Sequence, residues 1–487
     1  MIEAGPAFAL AIPALGGLLI ALTGRWPNLR ETVTLDTALT LLLFVVSLLP
    51  AVMAGERPSV TLFSMLPGLS IAFTVEPLGM LFSLIASSLW IVNSIYSIGY
   101  MRGNNESNQT RFFVCFAIAI TCAMGIAFAG NLLTLFLFYE ALTISTYPLV
   151  AHKGDEATVR SARVYLGILL TTSIVLLLPA IIWTYVIAGS LDFTVGGLIA
   201  GSLEGPLVGV LLALFVFGIG KAAVMPVHRW LPAAMVAPTP VSALLHAVAV
   251  VKAGVFTITK VIVYIFGIDF LFGQPSSGWL VYAASFTIIA ASVVALRQTN
   301  LKRLLAYSTV AQLSYVVMAT AILKPLSEIG AAIHMVAHAF GKITLFFAAG
   351  AIYTAAKKTD ITQLRGIAWR MPWTMAAFTI GALSMIGVPP TAGFVSKWYI
   401  LAGAFQADNY VALFTIIAST VLNAAYFLPI IFWAWFAKED VPPAKPHGEA
   451  PLTMVLALTI TAALTLGFFF FNQTALELET QLVGRQK

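Results

Sequence analysis

Charged side chains are what this sequence has least of. Of its 487 residues, 9% are charged and 60% are hydrophobic, whereas a typical soluble domain carries roughly 25% charged residues. A soluble fold has no way to bury that much apolar surface, but a lipid bilayer accepts it. The scarcity of charge therefore excludes an ordinary soluble domain, and the positions of the few charges become informative.

Cysteine is nearly absent as well. Cys115 and Cys122 lie in one apolar stretch, without the spacing or the neighbouring ligands of a metal site. We therefore expect both to be small packing residues. Residues 1–11 contain no basic residue ahead of the first apolar run, so we expect no cleavable signal peptide.

Long apolar runs are abundant, and a helix needs about 20 apolar residues to cross the hydrocarbon core. None of the runs shows the alternation, in pieces of about ten residues, that marks a β-barrel. We predict an all-α polytopic membrane protein of about fourteen transmembrane helices. The runs cover approximately 5–24, 33–54, 73–98, 111–128, 130–151, 163–188, 206–223, 241–266, 277–296, 303–323, 328–354, 373–404, 407–436 and 452–472.

Basic residues are distributed unequally between the connecting loops. Loops after odd-numbered runs hold seventeen lysines and arginines, whereas loops after even-numbered runs hold only Arg57 and Lys324. Because cytoplasmic loops carry an excess of positive charge, we predict that both termini lie on the outer side of a bacterial-type inner membrane. The seventeen are Arg25, Arg30, Arg102, Arg111, Lys153, Arg160, Arg163, Arg229, Arg297, Lys302, Arg303, Lys357, Lys358, Arg365, Arg370, Lys438 and Lys445.

A second group of charged residues falls inside the apolar runs. A charge at the bilayer centre costs several kcal/mol, so such groups usually face a polar interior and mark an ion pathway. We therefore treat each of them as a candidate functional residue. They are Glu76, Glu140, Lys221, Lys252, Lys260, Lys342 and Lys397.

Glu140 and Lys221 lie at similar depths in runs five and seven, which suggests a buried ion pair. Such a pair either locks two helices together or takes part in proton transfer, since the protonation of a buried lysine responds to nearby charges. We favour proton transfer, because two buried charges are costly to keep for packing alone.

His246 and Lys252 share run eight. A neutral imidazole both donates and accepts a proton near pH 7, although His246 is equally well explained as a helix–helix hydrogen-bond partner. Lys260 lies nearer the outer end, where we expect its amine to extend to the membrane surface. Glu76 begins run three on the outer side, where a hydrogen-bond network explains it as well as conduction does.

His334, His338 and Lys342 are spaced four residues apart. On a helix this spacing places them on one face over about 12 Å, which is long enough for a proton wire with intervening water. Metal binding by the two histidines is the alternative. No acidic third ligand lies nearby in the sequence, so we expect no metal.

Lys397 follows Pro389 and Gly393 within a run that is too long for one straight helix. A similar interruption, at Pro226 beside Lys221, lies five runs earlier. Broken helices in matching positions of two halves indicate an inverted-repeat transporter core. We therefore divide the chain into N-terminal helices (1–110), a first five-helix repeat (111–270), a second five-helix repeat (271–437) and a C-terminal helix with its tail (438–487).

Four sequence blocks resemble the antiporter-like subunits of respiratory complex I and of Mrp-type cation/proton antiporters. The blocks are LLTLFLFYEALTIS, KAAVMPVHRWLPAAMVAPTPVSALLHAVAVVKAG, NLKRLLAYSTVAQLSY, and HMVAHAFGKITLFFAAG followed by IGVPPTAGFVSKWY, and together with the intervening spans they cover about residues 75–435. The resemblance implies fourteen helices in two inverted five-helix repeats, with helices 7 and 12 broken.

The resemblance also implies roles for individual residues. Glu140 and Lys221 would form the ion pair of the first half-channel. His246 and Lys252 would continue the hydrated axis, and His338 and Lys342 would lie at its centre. Lys397 would be the terminal lysine on the outlet side. With His334 from the same helix face, the predicted proton-transfer residues are Glu140, Lys221, His246, Lys252, His334, His338, Lys342 and Lys397.

Two functions follow from the resemblance. The first is a proton-conducting subunit of a multisubunit monovalent cation (Na⁺)/proton antiporter, and the compact C-terminal end with Lys397 looks most like the D-type component of Mrp antiporters. The alternative is a proton-pumping membrane subunit of a redox-driven complex, either an NADH:quinone oxidoreductase or a membrane-bound hydrogenase. In that case the chain would be part of a translocase without a cofactor of its own.

Both functions require other membrane subunits as partners, with protons and, for the antiporter, Na⁺ as the transported ions. We expect no cofactor, no metal and no nucleic acid. A structural subunit that no longer conducts is a third alternative. The complete set of buried ionisable groups argues against it, because such a subunit would tolerate leucine at these positions.

Overall fold

A computed structural model describes residues 3–439 and 448–484, apart from the side chains of residues 246, 482 and 483. Lys445, which contributed to the predicted charge pattern, lies outside the described residues. The described helices are α1 Gly5–Leu22, α2 Pro27–Met53, α3 Pro77–Gly103, α4 Gln109–Ala127, α5 Leu132–Val150, α6 Glu156–Thr172, α7 Leu178–Ala188, α8 Pro206–Gly218, α9 Trp230–Ala233, α10 Thr239–Ala243, α11 Val250–Lys260, α12 Ile268–Phe272, α13 Trp279–Leu296, α14 Leu301–Ala321, α15 Pro325–Ala356, α16 Pro372–Ile386, α17 Ala392–Gln406, α18 Tyr410–Phe436, α19 Leu452–Phe470 and α20 Gln473–Gly484.

The helices form where the apolar runs lie, and the prediction of an all-α polytopic membrane protein is confirmed. In the described part of the chain, eleven helical segments are long and apolar enough to cross a membrane, with α6 and α7 joined into one of them. α8 and α16 are shorter apolar helices. The count of fourteen spans stays a prediction, because runs seven, eight and twelve correspond to interrupted helices.

A β-hairpin that the sequence analysis did not predict lies between α2 and α3. Its strands β1 (Ser59–Leu66) and β2 (Leu69–Thr74) pair antiparallel, with Ser59 opposite Thr74. Gly68 in the turn has a φ of +75°, a left-handed conformation that glycine adopts without steric strain. We call the side of the bundle that carries this hairpin the hairpin end.

α15 is the most deeply buried of the membrane-length helices described. In an apolar stretch of 18 residues of this helix, 94% of the residues are buried inside the protein, compared with 28% in the corresponding stretch of the peripheral α2. It packs against α14, α16, α17 and α19, so most of its side chains face other helices rather than lipid. The polar residues that α15 carries are therefore enclosed by protein.

Interruptions of the helices place irregular backbone in the interior of the bundle. After α8 ends at Gly218, a single 3₁₀ turn follows at Gly220–Ala222. α16 ends at Ile386 and α17 begins at Ala392. These two breaks lie in runs seven and twelve, where the sequence predicts them, whereas the π-helical segment Leu244–Val248 between α10 and α11 was not predicted. Irregular backbone at membrane depth is tolerated where protein encloses it.

The two predicted breaks each lie beside a lysine. Lys221 occupies the 3₁₀ turn after α8, and Lys397 lies in the first two turns of α17. This placement agrees with the pattern from which two repeats were predicted. The inverted relation between the repeats and the four domain limits stay predictions.

Candidate functional site

Lys221 is fully buried on the broken segment after α8. Its ammonium group donates hydrogen bonds to the backbone carbonyl of Tyr139 and to the hydroxyl of Thr143, both at 2.6 Å. The same nitrogen lies 3.1 Å from the centre of the Tyr139 ring, which adds a cation–π contact. All three contacts come from α5, so one turn of that helix holds the Lys221 side chain.

Two residues fix the broken segment in place. The indole nitrogen of Trp230 donates a hydrogen bond of 2.9 Å to the carbonyl of Gly220. Gly254 on α11 lies so close to the backbone of Lys221 and Ala222 that a Cβ atom at this position would clash with both. Glycine is therefore required for the approach of α11 to the break.

Glu140 follows Tyr139 on α5, but the predicted ion pair with Lys221 is absent from this structure. Neither carboxylate oxygen of Glu140 has a hydrogen-bond partner in the described part of the chain. Among the described residues, no nitrogen–oxygen contact of 4.0 Å or less joins Lys221 to Glu140. The physical reason is competition, since the carbonyl of Tyr139 and the hydroxyl of Thr143 already occupy the ammonium group.

Lys252 on α11 and His338 on α15 meet although 86 residues separate them in the sequence. Lys252 Nζ lies 2.6 Å from His338 Nδ1, and the residues are 1% and 0% exposed. In this contact one nitrogen holds a proton and the other accepts it, so the pair is chemically suited to proton exchange. His246 lies in the π-helical segment Leu244–Val248, and its side chain is outside the described part of the structure.

His334 connects α15 to α17. Its Nδ1 lies 2.9 Å from the hydroxyl oxygen of Ser396. Its ring stacks on Tyr315 with centroids 5.4 Å apart, and it lies 6.2 Å from the ring of His338. The step between the two histidine rings is longer than a hydrogen bond, so a proton crosses it only with ring movement or with water.

Lys397 is held by the C-terminal end of α16. Its ammonium group donates hydrogen bonds of 2.9 Å to the carbonyls of Met385 and Ile386. The last carbonyls of a helix have no partner within the helix and carry the negative end of its dipole, so they attract a cation. The break after α16 thus supplies the oxygen atoms that hold a buried ammonium group.

Lys342 reaches α14, where its ammonium group donates a hydrogen bond of 2.7 Å to the hydroxyl of Ser308. The hydroxyl of Tyr426 on α18 contacts both Ser308 and Asn423. The Asn423 amide in turn donates to the Met385 carbonyl at 3.2 Å, which is the same carbonyl that Lys397 uses. Lys342 and Lys397 therefore belong to one set of polar contacts.

These contacts place five of the predicted residues, with several others, in three hydrogen-bonded groups. His334 lies between the other two groups, since its ring is 6.2 Å from that of His338 and its partner Ser396 precedes Lys397. We call the three groups together the interior network, which spans α11, α14, α15, α17 and α18. Lys221 and Glu140 are not joined to it by any hydrogen bond between described side chains. The members of the interior network are Lys252, Ser308, His334, His338, Lys342, Ser396, Lys397, Asn423 and Tyr426.

The expectation that Lys260 extends to the membrane surface is wrong. Lys260 is 0% exposed, and its ammonium group lies 2.9 Å from a carboxylate oxygen of Glu76. It also donates a hydrogen bond of 2.7 Å to the carbonyl of Ala129. The buried carboxylate and the carbonyl at the end of α4 satisfy the charge inside the protein, so the side chain has no need to reach water.

Sequence reasoning missed the uncharged members of the interior network, Ser308, Ser396, Asn423 and Tyr426. Single hydroxyl or amide residues in apolar runs are common and usually bond to their own helix. Asn423 and Tyr426 are three residues apart, a spacing that places two polar side chains on one face of an apolar helix. This spacing could have identified them as members of a polar network. In the described part of the chain, no group of three or more His, Cys, Asp and Glu side chains is placed to hold a metal ion.

Fold and interior together define a class: a polytopic helical membrane protein whose buried lysines and histidines form a polar network at membrane depth. A family model described as NADH:quinone oxidoreductase/Mrp antiporter, TM, matches residues 129–423, a range that holds nearly all of the interior network. The chain therefore belongs to the family of membrane subunits shared by NADH:quinone oxidoreductases and Mrp antiporters.

Curated relatives come from both branches of this family. NADH-quinone oxidoreductase subunit N of Desulforudis audaxviator (strain MP104C) is 30% identical over 84% of this chain and 83% of its own length. The A/B component of a probable K(+)/H(+) antiporter of Rhizobium meliloti (strain 1021) is 31% identical over 82% of this chain but only 41% of its own length. The chain thus spans most of the first relative and less than half of the second.

Solved structures show the same fold. A chain from the structure of the Mrp complex from Dietzia sp. DQ12-45-1b superposes with a TM-score of 0.88, covering 99% of this chain and 97% of the other at 23% identity. A chain of the membrane-bound sulfane sulfur reductase, an archaeal respiratory membrane complex, gives a TM-score of 0.85 at 23% identity. Both structures are of membrane complexes.

Proposed function

We propose that the chain is the proton-conducting subunit of a multisubunit cation/proton antiporter, which exchanges a monovalent cation, Na⁺ in the first instance, for protons. The observation that carries the proposal is the interior network, in which Lys252, Lys342 and Lys397 are buried and held by an imidazole, a hydroxyl and backbone carbonyls, respectively. Three lysines enclosed at membrane depth are costly to keep for packing alone.

Proton transfer through the network is proposed to proceed in local steps. At Lys252 and His338 the 2.6 Å contact lets one proton pass between amine and imidazole with little movement. A charge that arrives at one site acts strongly on its neighbours, because the protein interior screens charge weakly. Each transfer thereby alters the free energy of the next, and Lys397 forms the far end of the pathway.

Glu140 and Lys221 are assigned to the first half-channel. The Glu140 carboxylate has no hydrogen-bond partner among the described side chains and backbone groups. Glu140 directly follows Tyr139, whose carbonyl accepts a hydrogen bond from the Lys221 ammonium group. We expect the ion pair to form when that ammonium group leaves the Tyr139 carbonyl. The arrangement described above and the ion-paired one are then the two states of a switch.

Orientation and partners are part of the proposal. The distribution of basic loop residues supports cytoplasmic odd-numbered loops and outer termini. Relatives named as antiporter components, such as the A1 component of the Na(+)/H(+) antiporter of Staphylococcus haemolyticus (strain JCSC1435), support antiporter partners in the membrane. That relative is 30% identical over 95% of this chain and 60% of its own length.

The second candidate is a proton-pumping subunit of a redox-driven complex. The match to NADH-quinone oxidoreductase subunit N over 83% of that relative's length favours it. The two candidates differ in their partners, so purification of the native complex separates them. Flavin and iron–sulfur absorbance in that complex supports the redox machine, whereas small membrane subunits without cofactor absorbance support the antiporter.

Replacement of Lys221 or Glu140 by alanine tests the conduction itself. We expect Lys221→Ala and Glu140→Ala to lower cation-driven proton movement by about a hundredfold or more, since the loss of a proton-transfer group typically costs about 10²–10⁴-fold. The measurement is the response of a pH-sensitive dye to a Na⁺ or K⁺ pulse in proteoliposomes that contain the native complex. Lys357→Ala, which alters an exposed lysine, is the matched control.

Assembly of each variant is measured by the yield of intact complex. Full transport by an assembled Lys221→Ala complex would show that the proposed pathway is wrong. Loss of transport in the Lys357→Ala control would contradict the assignment too, since it would show that removal of any lysine impairs the complex.

A further inference from the structure

The ion pair of Glu76 and Lys260 lies apart from the interior network, near the hairpin end of the bundle. Glu76 precedes α3, directly after the hairpin strand β2, and Lys260 is the last residue of α11. The carbonyl of Ala129, which receives a hydrogen bond of 2.7 Å from Lys260, follows α4 near the same strand. Four elements therefore meet at this one buried pair.

The two members of the pair differ in access to the outside. The Lys260 side chain is 0% exposed and lies among aromatic rings, with its nitrogen 4.0 Å from the centre of the Phe193 ring. The Glu76 side chain is 12% exposed. The oxygen of Glu76 next to Lys260 is itself buried. The amine is thus fully enclosed, whereas Glu76 is the member of the pair whose side chain is partly exposed.

α11 connects this pair to the interior network. Lys252 and Lys260 are eight residues apart on that helix, a rise of about 12 Å. Lys252 contacts His338 in the centre of the bundle, and Lys260 contacts Glu76 at its end. One helix therefore carries a buried amine at the network and a second buried amine next to an acid with access to the surface.

Another buried acid in the same protein shows what a structural ion pair looks like. Glu31 on α2 is 6% exposed and is held by Arg102, with hydrogen bonds of 3.0 and 2.5 Å to its two oxygens, and by Arg30 at 3.4 Å. Arginine keeps its proton in proteins, so such a cluster holds charge but passes none. Glu76 is paired instead with a lysine, which releases a proton when its surroundings change.

We propose that Glu76 and Lys260 form the proton-exchange gate between the interior of the bundle and the solution at the hairpin end. In the outward step, one proton leaves the Lys260 ammonium group and binds the Glu76 carboxylate, which leaves a neutral amine and a neutral carboxylic acid. The acid then releases this proton to water at the hairpin end, and the amine takes up one proton from the interior. The sum is one proton moved, and the ion pair is restored. The inference rests on the proposed function.

The variants at Glu76 and Lys260 distinguish a proton-exchange gate from a structural lock, that is, an ion pair that only holds the helices together. We expect Glu76→Gln to lower proton movement about a hundredfold in proteoliposomes, whereas Glu76→Asp, which keeps a carboxylate, retains transport within about fivefold. In the double variant Glu76→Gln with Lys260→Gln, two neutral side chains restore hydrogen bonding at the buried site. A structural lock would regain transport in this double variant, but a gate would not, because no group remains that exchanges protons.

Each outcome decides the question. Full transport by Glu76→Gln, or recovery of transport in the double variant, overturns the gate. If Glu76→Gln fails to assemble, the double variant and Glu76→Asp decide it by the same criteria. Glu31→Gln is the matched control, and we expect its transport per assembled complex to be unchanged. Lys221→Ala in the same assay distinguishes failure of the gate from failure of the proposed function. An active Lys221→Ala complex refutes the proposed function. An inactive Lys221→Ala complex together with an active Glu76→Gln complex refutes the gate alone.

Discussion

The two halves of the bundle hold their buried lysines in different ways. In the first half Lys260 is paired with the carboxylate of Glu76, and Lys221 is hydrogen-bonded to Tyr139, the residue before Glu140. The Glu140 carboxylate has no hydrogen-bond partner among the residues that the structure describes. In the second half Lys342 and Lys397 are held by hydroxyl groups and backbone carbonyls. Among the described residues, no carboxylate lies within 4.0 Å of either of these two ammonium groups.

This difference indicates a division of labour. A carboxylate compensates an ammonium charge fully. In the first half, Glu76 and Glu140 are carboxylates with which the ammonium groups of Lys260 and Lys221 can form and break ion pairs. Carbonyl and hydroxyl dipoles compensate a charge only in part, and an uncompensated buried charge is costly. The second half therefore does not hold several cations at once without cost. We propose that the two halves exchange charge at the contact of Lys252 with His338.

The largest expected effect is at that contact. We predict that Lys252→Met and His338→Gln each lower cation-driven proton movement about a hundredfold, because each removes one side of the 2.6 Å proton-exchange contact. We further predict that the double variant is no slower than either single variant, since both changes break one step. The measurement is the initial rate of dye response in proteoliposomes.

The control for this cycle is Lys252→Met combined with Lys357→Ala. The fold-changes in transport rate of these two independent changes should multiply in the double variant. If the Lys252 and His338 effects also multiplied in the double variant, the two residues would act in separate steps. The two halves would then be joined elsewhere.

An intermediate effect is expected at the two backbone breaks. A Cβ on Gly254 would lie closer than 3.0 Å to the backbone of Lys221, and one on Gly393 would do the same to the backbone of Ser384. We predict that Gly254→Ala and Gly393→Ala each destabilise the protein by about 1–3 kcal/mol through overpacking, measured as a lower Tm of the complex. Gly167→Ala on α6, where no atom of the described residues lies within 4 Å of the added Cβ, is the control and should leave Tm unchanged or slightly higher. An unchanged Tm in Gly254→Ala would show that the first break relaxes more easily than the second.

The smallest effect is expected at a buried acid that belongs to neither half. Glu479 on α20, beyond the last membrane-length helix, is 1% exposed, and burial raises the pKa of its carboxyl from 4.5 to about 8. Because the folded pKa is the higher one, the protonated acid stabilises the fold. That contribution is fully present below pH 4.5 and is lost as the pH rises to about 8.

Glu479→Gln should therefore abolish this pH dependence. We predict that hydrogen exchange in α20 is similar in the variant and the parent protein at about pH 5, and slower in the variant at about pH 9. Glu477→Gln, which changes an exposed neighbour, should behave like the parent at both values. Equal exchange in Glu479→Gln and parent at the higher pH would show that the buried carboxyl has no energetic effect on the docking of α20.

Much of the site was predictable because the local sequence determines how deep a residue lies in the membrane and which face of its helix it occupies. A lysine in the middle of an apolar run lies at membrane depth whatever the fold, and spacing of four places His334, His338 and Lys342 on one face. Proline and glycine similarly locate the breaks near Lys221 and Lys397. For Lys260 the same reasoning failed, since nearness to a run end says nothing about a carboxylate brought there by another helix.

The sequence by itself determined that this is a helical membrane protein with a few charges at membrane depth, because hydrophobicity and helical periodicity are local properties. Only the tertiary structure decided which groups those charges meet. Lys252 finds His338 across 86 residues, Lys260 finds Glu76, and Lys221 bonds to the Tyr139 carbonyl rather than to Glu140. The physical reason is that such partners depend on which helices pack together and at what depth, and that follows from the fit of whole surfaces rather than from any one segment.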